Sequence, residues 1–182
     1  MSYRRWVFIA ILLFGGGLVF GLVTPSGGVS LPAEDIAALE ELSGILVPFS
    51  LFTVIFIFIK NVSVLVLSFV FSPILCLLPI LVLTLNSWLL ASVSVIIAQE
   101  ESFWFVLAGL LPHGIFELPA LIIGEAAALS FGTAAMLTLF KKERRNLLLP
   151  NLKQNLRYLL IAFALLLPAA IIETFVTPLL LA

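Results

Sequence analysis

The long apolar run between Glu101 and Lys141 constrains the fold more than any other feature of the sequence. Only His113, Glu117 and Glu125 are ionisable within it. A run this long has no place in a water-soluble domain, because about 18 apolar residues already suffice for a helix to cross a bilayer. Charged residues make up only 10% of the 182-residue chain, against roughly 25% in soluble proteins. The sequence therefore predicts an all-α, polytopic transmembrane helix bundle, since helices satisfy their own backbone hydrogen bonds in lipid.

Polar interruptions divide the apolar sequence into segments of a single transmembrane domain, residues 1–182. We predict five spans, at residues 6–23, 46–71, 74–98, 116–140 and 156–177. Residues 102–111 are predicted to form a re-entrant half-helix, because the acidic and basic ends of the long run belong on opposite sides and demand an odd number of crossings. At residues 31–44, apolar side chains at helical spacing beside acidic ones predict an amphipathic helix on the outer surface.

Basic residues predict the orientation of the bundle. Arg4 and Arg5 precede the first span, and residues 141–145, Lys153 and Arg157 make up the largest basic segment. Lys and Arg beside spans are retained in the cytoplasm. We therefore expect a multi-pass protein of the cell membrane, with its N-terminus in the cytoplasm and its C-terminus outside. The net charge of −1 gives no basic face for nucleic acid, so no nucleic-acid partner is expected.

The chain's single histidine lies in the segment Pro-His-Gly-Ile-Phe-Glu-Leu-Pro at residues 112–119. Ionisable side chains and interrupted helices are both costly in hydrocarbon, so their coincidence points to a functional site that faces protein or water. His113 and Glu117 are near neighbours whether the segment is a helix or a turn. Helix breaks are predicted at Pro112, Gly114 and Pro119, and again at Pro178 near the C-terminus.

Other polar residues inside the predicted spans complete a predicted polar centre. Glu173 is its third member, and Lys60 with Asn61 is the fourth. Unpaired, such groups would together cost on the order of 10 kcal/mol in hydrocarbon. We therefore expect them to converge, to be protonated or to line a wet cavity. Two positions remain open for Lys60, which are the middle of the bilayer and the inner end of a shorter span.

Asn86, Glu125 and several small residues have secondary predicted roles. Asn86 is the one amide of the third span, where a hydrogen bond to another helix is worth about 1 kcal/mol. Glu125 lies about 80° around a regular helix from Glu117, which predicts a different flank and makes it a secondary candidate. Small residues at helical spacing predict close helix contacts at Gly15, Gly16, Gly17 and Gly21 in the first span and at Gly124, Ala128 and Gly132 in the fourth.

Four roles fit this set of residues. They are a structural hydrogen-bonding network, a route for protons or ions, a substrate pocket at the broken helix, and an intramembrane metal hydrolase. Metal chemistry is disfavoured, because a single histidine with scattered glutamates and no His-Glu-x-x-His motif makes a poor zinc site. We therefore predict no metal, no cofactor and no catalytic residue.

The motif Pro-His-Gly-Ile-Phe-Glu-Leu-Pro-Ala at residues 112–120 resembles the central signature of the stage II sporulation protein M family. The resemblance runs from about Phe49 onward and includes Lys60-Asn61, Leu85-Asn86 and the segment Ile-Glu-Thr-Phe-Val-Thr-Pro at 172–178. It implies a small polytopic membrane protein. The motif positions that the resemblance implies are Asn61, Asn86, His113, Gly114, Glu117, Glu173 and Pro178. Two residues depart from the family pattern, since Ser87 stands where a glycine is usual and Glu125 where small apolar residues are usual.

The resemblance also implies a working context. The family's namesake in spore-forming bacteria works with a peptidoglycan hydrolase and a further partner during engulfment, and relatives in organisms without spores, archaea included, have no assigned role. We accordingly expect a subunit or scaffold of a membrane complex, with lipid, other membrane proteins and further copies of itself as partners. The alternative is a transporter or channel that moves protons, ions or a small solute through the same polar centre.

Overall fold

The computed structural model describes residues 3–24, 47–140 and 142–181, and the regular structure within these ranges is helical. No β-strand occurs in them. Five of the helices are long and apolar enough to cross a membrane. The predicted all-α, membrane-spanning bundle is therefore confirmed. The amphipathic helix predicted at 31–44 lies outside the described residues.

One helix forms the centre of the bundle. The long helices are α1 (Tyr3–Val23), α2 (Leu51–Phe71), α3 (Leu77–Glu100), α4 (Phe103–Phe140) and α5 (Leu148–Phe175), followed by a short α6 (Thr177–Leu181). A 3-10 helix, Lys142–Leu147, connects α4 to α5. The central helix is α4, since it packs against every other helix in the described ranges. We call the end of the bundle where α1 and α5 begin the basic end, and the end with Glu100 and Glu101 the acidic end.

The central helix α4 is continuous through both of its prolines, Pro112 and Pro119. The predicted breaks at Pro112, Gly114 and Pro119 are therefore wrong, and residues 103–111 form the first turns of α4, so that 102–111 is no separate half-helix. A proline removes one backbone donor, whereas opening a whole turn in hydrocarbon would leave several backbone groups unsatisfied. A single helix of roughly 57 Å also joins the acidic end to the basic end in one crossing, so no re-entrant piece is needed.

The other predicted interruption, near Pro178, is present. Helix α5 ends at Phe175 and α6 begins at Thr177. Pro178 therefore falls in the first turn of α6, where its missing N–H would have had no intrahelical partner in any case. The short α6 packs back against α4. This contact keeps the end of the chain beside the early turns of α4.

Glycines allow the helices of the bundle to approach closely. Gly17 and Gly21 of α1 are buried, and a Cβ added at Gly17 would lie 2.5 Å from the Thr84 carbonyl oxygen of α3. Ser87 of α3 is fully buried against the same glycine. Its hydroxyl donates to the Leu83 carbonyl of its own helix at 2.8 Å, so the serine fits the close contact without leaving a polar group unpaired.

We expect Gly17→Ala to destabilise the protein and Gly16→Ala to leave it at least as stable. Alanine favours helix over glycine by about 1 kcal/mol at both positions. At Gly17 this gain is opposed by overpacking against α3, which typically costs 1–3 kcal/mol, and the clash is with backbone that cannot move freely. Gly16 has nothing within 4 Å of an added Cβ. Thermal unfolding in detergent, followed by tryptophan fluorescence, measures both variants, and equal midpoints would contradict the packing described.

Candidate functional site

Three ionisable side chains from two helices meet in the part of the bundle nearer the acidic end. His113 and Glu117 lie one turn apart on α4, and Glu173 lies in the last turn of α5. One ligand atom of each lies within 4.8 Å of the other two. His113 Nε2 is 3.9 Å from Glu117 Oε2. We call these three residues the His–Glu–Glu cluster, and all three are partly buried.

The backbone explains why these side chains meet. Because α4 does not break, His113 and Glu117 keep the four-residue spacing that sets side chains on one face of a helix. The end of α5 is held in place by the chain before α2, since the Phe49 N–H donates to the Thr174 carbonyl at 3.2 Å. Thr174 is itself buried, and its hydroxyl donates to the Ala170 carbonyl at 2.8 Å. Glu173 is therefore carried on a fixed turn beside α4.

Asn61 and Lys60 of α2 lie next to the cluster in different ways. Asn61 Nδ2 donates to Glu117 Oε1 at 3.2 Å, which fixes the orientation of that carboxylate. Lys60 is exposed, in the middle of the continuous helix α2, and lines a small cavity together with Asn61 and Glu117. Helix α2 therefore does not end at Lys60.

Asn86 of α3 does not make the predicted bridge between helices. Its amide donates to the Val82 carbonyl of its own helix at 2.7 Å. The side chain is exposed, and it lines the cavities that surround the cluster. Asn86 therefore contributes a polar group to these cavities rather than a link between helices.

An open cavity of about 490 Å³ leads to the cluster from the acidic end. Its walls belong to α3, α4 and α6 and are mostly apolar, whereas His113, Glu173 and Asn86 are polar groups in its lining. Two smaller cavities, of about 90 and 50 Å³, continue past it along Glu117. Of the two carboxylates of the cluster, Glu173 therefore lines the large cavity and Glu117 lines the two smaller ones.

A second acid, Glu125, lies deeper on α4. It is fully buried, and the hydroxyl of Ser68 on α2 donates to its Oε2. Its Oε1 has no hydrogen-bond partner among the described residues. The sequence predicted that Glu125 lies on a different flank of its helix from Glu117, but it did not identify Ser68 as the hydrogen-bond partner of Glu125. The available signal was spacing, since Ser68 lies seven residues after Asn61 and therefore on the same face of α2.

An apolar contact separates the two acids of α4. Leu65 of α2 is 2% exposed, and its side chain lies against Gly124, where an added Cβ would be 2.8 Å from the leucine methyl carbons. The face of α2 thus presents Asn61 to Glu117, then Leu65 to Gly124, then Ser68 to Glu125. From Glu117 to Glu125 is a rise of roughly 12 Å. We call this Leu65–Gly124 contact the apolar barrier.

Electrostatics determine what the cluster can bind. Two ionised carboxylates whose oxygens lie within 4.8 Å of each other repel by at least roughly 3 kcal/mol at an effective dielectric constant of 20. A proton or a bound cation relieves that repulsion, while an anion would increase it. Neutral imidazole adds a nitrogen ligand without adding charge. The cluster is therefore suited to hold protons or a small cation.

We expect Glu125→Ala to lower the thermal unfolding midpoint by several degrees and Glu125→Gln to lower it much less. Alanine leaves a cavity and strips Ser68 of its acceptor, and cavity formation alone typically costs 2–5 kcal/mol for a side chain of this size. Glutamine keeps the volume and an oxygen that accepts from Ser68. Unfolding in detergent measures both variants, with Glu100→Gln at the exposed acidic end as control. Equal losses for alanine and glutamine would mean that the charge itself stabilises the fold.

Comparison with known proteins gives the family of the chain. The profile of the family described as Stage II sporulation protein M matches residues 10–178. An uncharacterized protein of Methanocaldococcus jannaschii is similar, with 26% identity over 176 residues that cover 94% of this chain and 93% of the archaeal one. No solved structure matches the chain. The resemblance carried by the motif at 112–120 is thereby confirmed, and the protein is a membrane protein that belongs to the stage II sporulation protein M family.

Proposed function

We propose that the protein binds a small cation or proton at the His–Glu–Glu cluster and moves it across the membrane. The observation that carries this proposal is the meeting of His113, Glu117 and Glu173 at a place where His113 and Glu173 line an open cavity of about 490 Å³. A purely structural network needs no such cavity. Of the two roles expected for the chain, transport therefore has the stronger support in the geometry, and the scaffold role becomes the second candidate.

The charge of the site supports a cation. Each glutamate contributes one negative charge when ionised, and the described residue of opposite charge that lines the adjoining cavity is Lys60. The lysine is exposed and interacts electrostatically with Glu173, so the two glutamates leave the site with a net negative charge when both are ionised. Carboxylates that face a cavity in hydrocarbon are typical of ion and proton routes.

The arrangement along α4 supports a carrier rather than an open pore. Beyond the apolar barrier lie Glu125 and, nearer the basic end, a cavity of about 220 Å³ whose lining includes Ser130, Thr133 and Asn151. Polar groups thus exist on both sides of a closed apolar contact. We propose that the barrier opens during transport, so that a cation held at Glu117 reaches the opposite side.

The direction follows from the positive-inside rule. Arg4, Arg5, Lys153 and Arg157 all belong to the basic end, which we assign to the cytoplasm. The cavity of the cluster then opens toward the outside. Under this assignment the N-terminus is cytoplasmic and the C-terminus lies outside.

A scaffold role has one specific observation in its favour. Trp88 of α3 contacts Thr24 at the end of α1, with Nε1 donating to the threonine hydroxyl at 3.3 Å. From there α3 continues to Glu100, roughly 18 Å, and Phe103 and Trp104 of the following turn are 63% and 76% exposed. The exposed aromatic side chains at this acidic end of the α3–α4 pair would suit contact with another membrane protein or a second copy of the chain.

We expect purified protein in liposomes to support cation or proton flux that Glu117→Gln lowers at least tenfold. The amide keeps the shape and the Asn61 contact but removes the charge that binds the cation. A trapped pH-sensitive dye reports protons, and a trapped zinc-sensitive dye reports a divalent ion. Glu173→Gln provides a second test at the same cluster, and Glu100→Gln is the matched control expected to keep the wild-type rate.

Two results would contradict transport. One is wild-type protein, shown to be folded and inserted, that moves neither probe. The other is a flux that both glutamine variants leave unchanged. If flux is absent while replacement of Phe103 and Trp104 by serine lowers a defined oligomeric state or partner complex, the scaffold role is supported instead.

A further inference from the structure

We infer that the His–Glu–Glu cluster is a binding site for a divalent transition-metal ion of the zinc or manganese type, with His113, Glu117 and Glu173 as its protein ligands. This inference names the class of cation for the function proposed above. It rests on that proposal only for the binding of a cation, not for its movement. It also departs from the expectation of no metal, which was based on the presence of a single histidine.

The distances fit a metal site that closes on its ion. One ligand atom of each residue lies within 4.8 Å of the other two. Ligands of a tetrahedral ion with bonds of about 2.1 Å are about 3.4 Å apart. The side chains must therefore approach by up to about 1.4 Å, which small rotations of two glutamates and an imidazole provide. The 3.9 Å between His113 Nε2 and Glu117 Oε2 is already close to that separation.

The histidine lacks partners that it needs. His113 Nδ1 is buried and has no hydrogen-bond partner among the described residues. Its Nε2 is 3.9 Å from the nearest carboxylate oxygen, beyond hydrogen-bond range. Buried polar atoms are rarely left in this state. A metal ion at Nε2 would give that nitrogen a partner, and a water molecule would give one to Nδ1.

The glutamate already has the support that metal ligands usually receive. Asn61 donates to Glu117 Oε1, while Oε2 is the oxygen on the side of His113. Carboxylates that bind metals are commonly held by such a hydrogen bond from a neighbouring residue, which orients the free oxygen toward the ion. Asn61 is on this view a positioning residue, because it acts on the ion only through Glu117.

The donor set selects the class of ion. One imidazole nitrogen and two carboxylate oxygens suit zinc, manganese or iron(II), whereas magnesium and calcium prefer all-oxygen sites with six or more ligands. The Cys76 thiol, a ligand type that copper(I) favours, lies away from this cluster and is buried against Leu129. Two carboxylates also neutralise a divalent ion, which matters in hydrocarbon. His113 and Glu173 line the open cavity of about 490 Å³, which gives an ion a path of entry.

Binding is tested with the full-length protein in detergent after treatment with a chelator. We expect equilibrium dialysis to give one Zn²⁺ per chain, with no competition from excess Mg²⁺. His113→Ala and Glu173→Gln should each weaken binding at least tenfold, and Asn61→Ala about tenfold. Glu100→Gln serves as the control that keeps wild-type affinity. Co²⁺ bound to the wild type should give a visible absorption band that His113→Ala loses.

The outcomes separate this inference from the transport proposal. Wild-type protein that binds no Zn²⁺ at micromolar concentration, or a folded His113→Ala variant with unchanged affinity, overturns the metal site. Stoichiometric binding without any flux in liposomes supports the metal site and contradicts transport. Proton flux that depends on Glu117 in a protein that binds no Zn²⁺ supports transport and overturns the metal site.

Discussion

The cost of unpaired backbone groups in hydrocarbon governs the rest of this structure. It keeps α4 helical through Pro112 and Pro119, although each proline removes a donor and strains the preceding turn. Because the helix continues, His113 and Glu117 stay one turn apart on one face. A turn at Gly114 would have changed the direction of the histidine relative to the glutamate. The His–Glu–Glu cluster therefore exists because the helix does not break where its sequence is weakest.

Close packing between α2 and α4 separates the interior into two polar levels along α4, one at Glu117 and one at Glu125. Gly124 admits Leu65, and the resulting apolar barrier lies between the Asn61–Glu117 and Ser68–Glu125 hydrogen bonds. Each acid of α4 thus meets one polar residue of α2, and the barrier keeps the two levels apart. A buried acid in such an interior is stabilised by a hydrogen-bond donor on the facing helix. This arrangement gives the chain one acid reached from a cavity and one acid sealed from it.

Composition and spacing predicted the class of fold, the five long helices and the close contacts at Gly17 and Gly124, because hydropathy and small side chains act locally. The four-residue spacing predicted the neighbourhood of His113 and Glu117 for the same reason. The predicted helix break was wrong, because helix propensities are measured in water, where solvent can bond the backbone groups that a break exposes. In lipid those groups would stay unpaired, so the helix continues through proline. The Ser68–Glu125 contact and the self-directed hydrogen bond of Asn86 depend on which faces of α2 and α3 turn inward. That information belongs to the packing of helices far apart in sequence.

Glu117 and Glu173, from separate helices, share one interior site with His113. A double-mutant cycle on the free energy of unfolding tests it most directly, with Glu117→Gln, Glu173→Gln and the double variant measured in metal-free detergent. Neutralising either carboxylate removes the electrostatic repulsion between the two, so the second neutralisation has no repulsion left to remove. We therefore expect a coupling free energy of about 0.5–3 kcal/mol between the two changes. Effects that simply add, within about 0.5 kcal/mol, would mean that the two carboxylates do not interact and that they share no site.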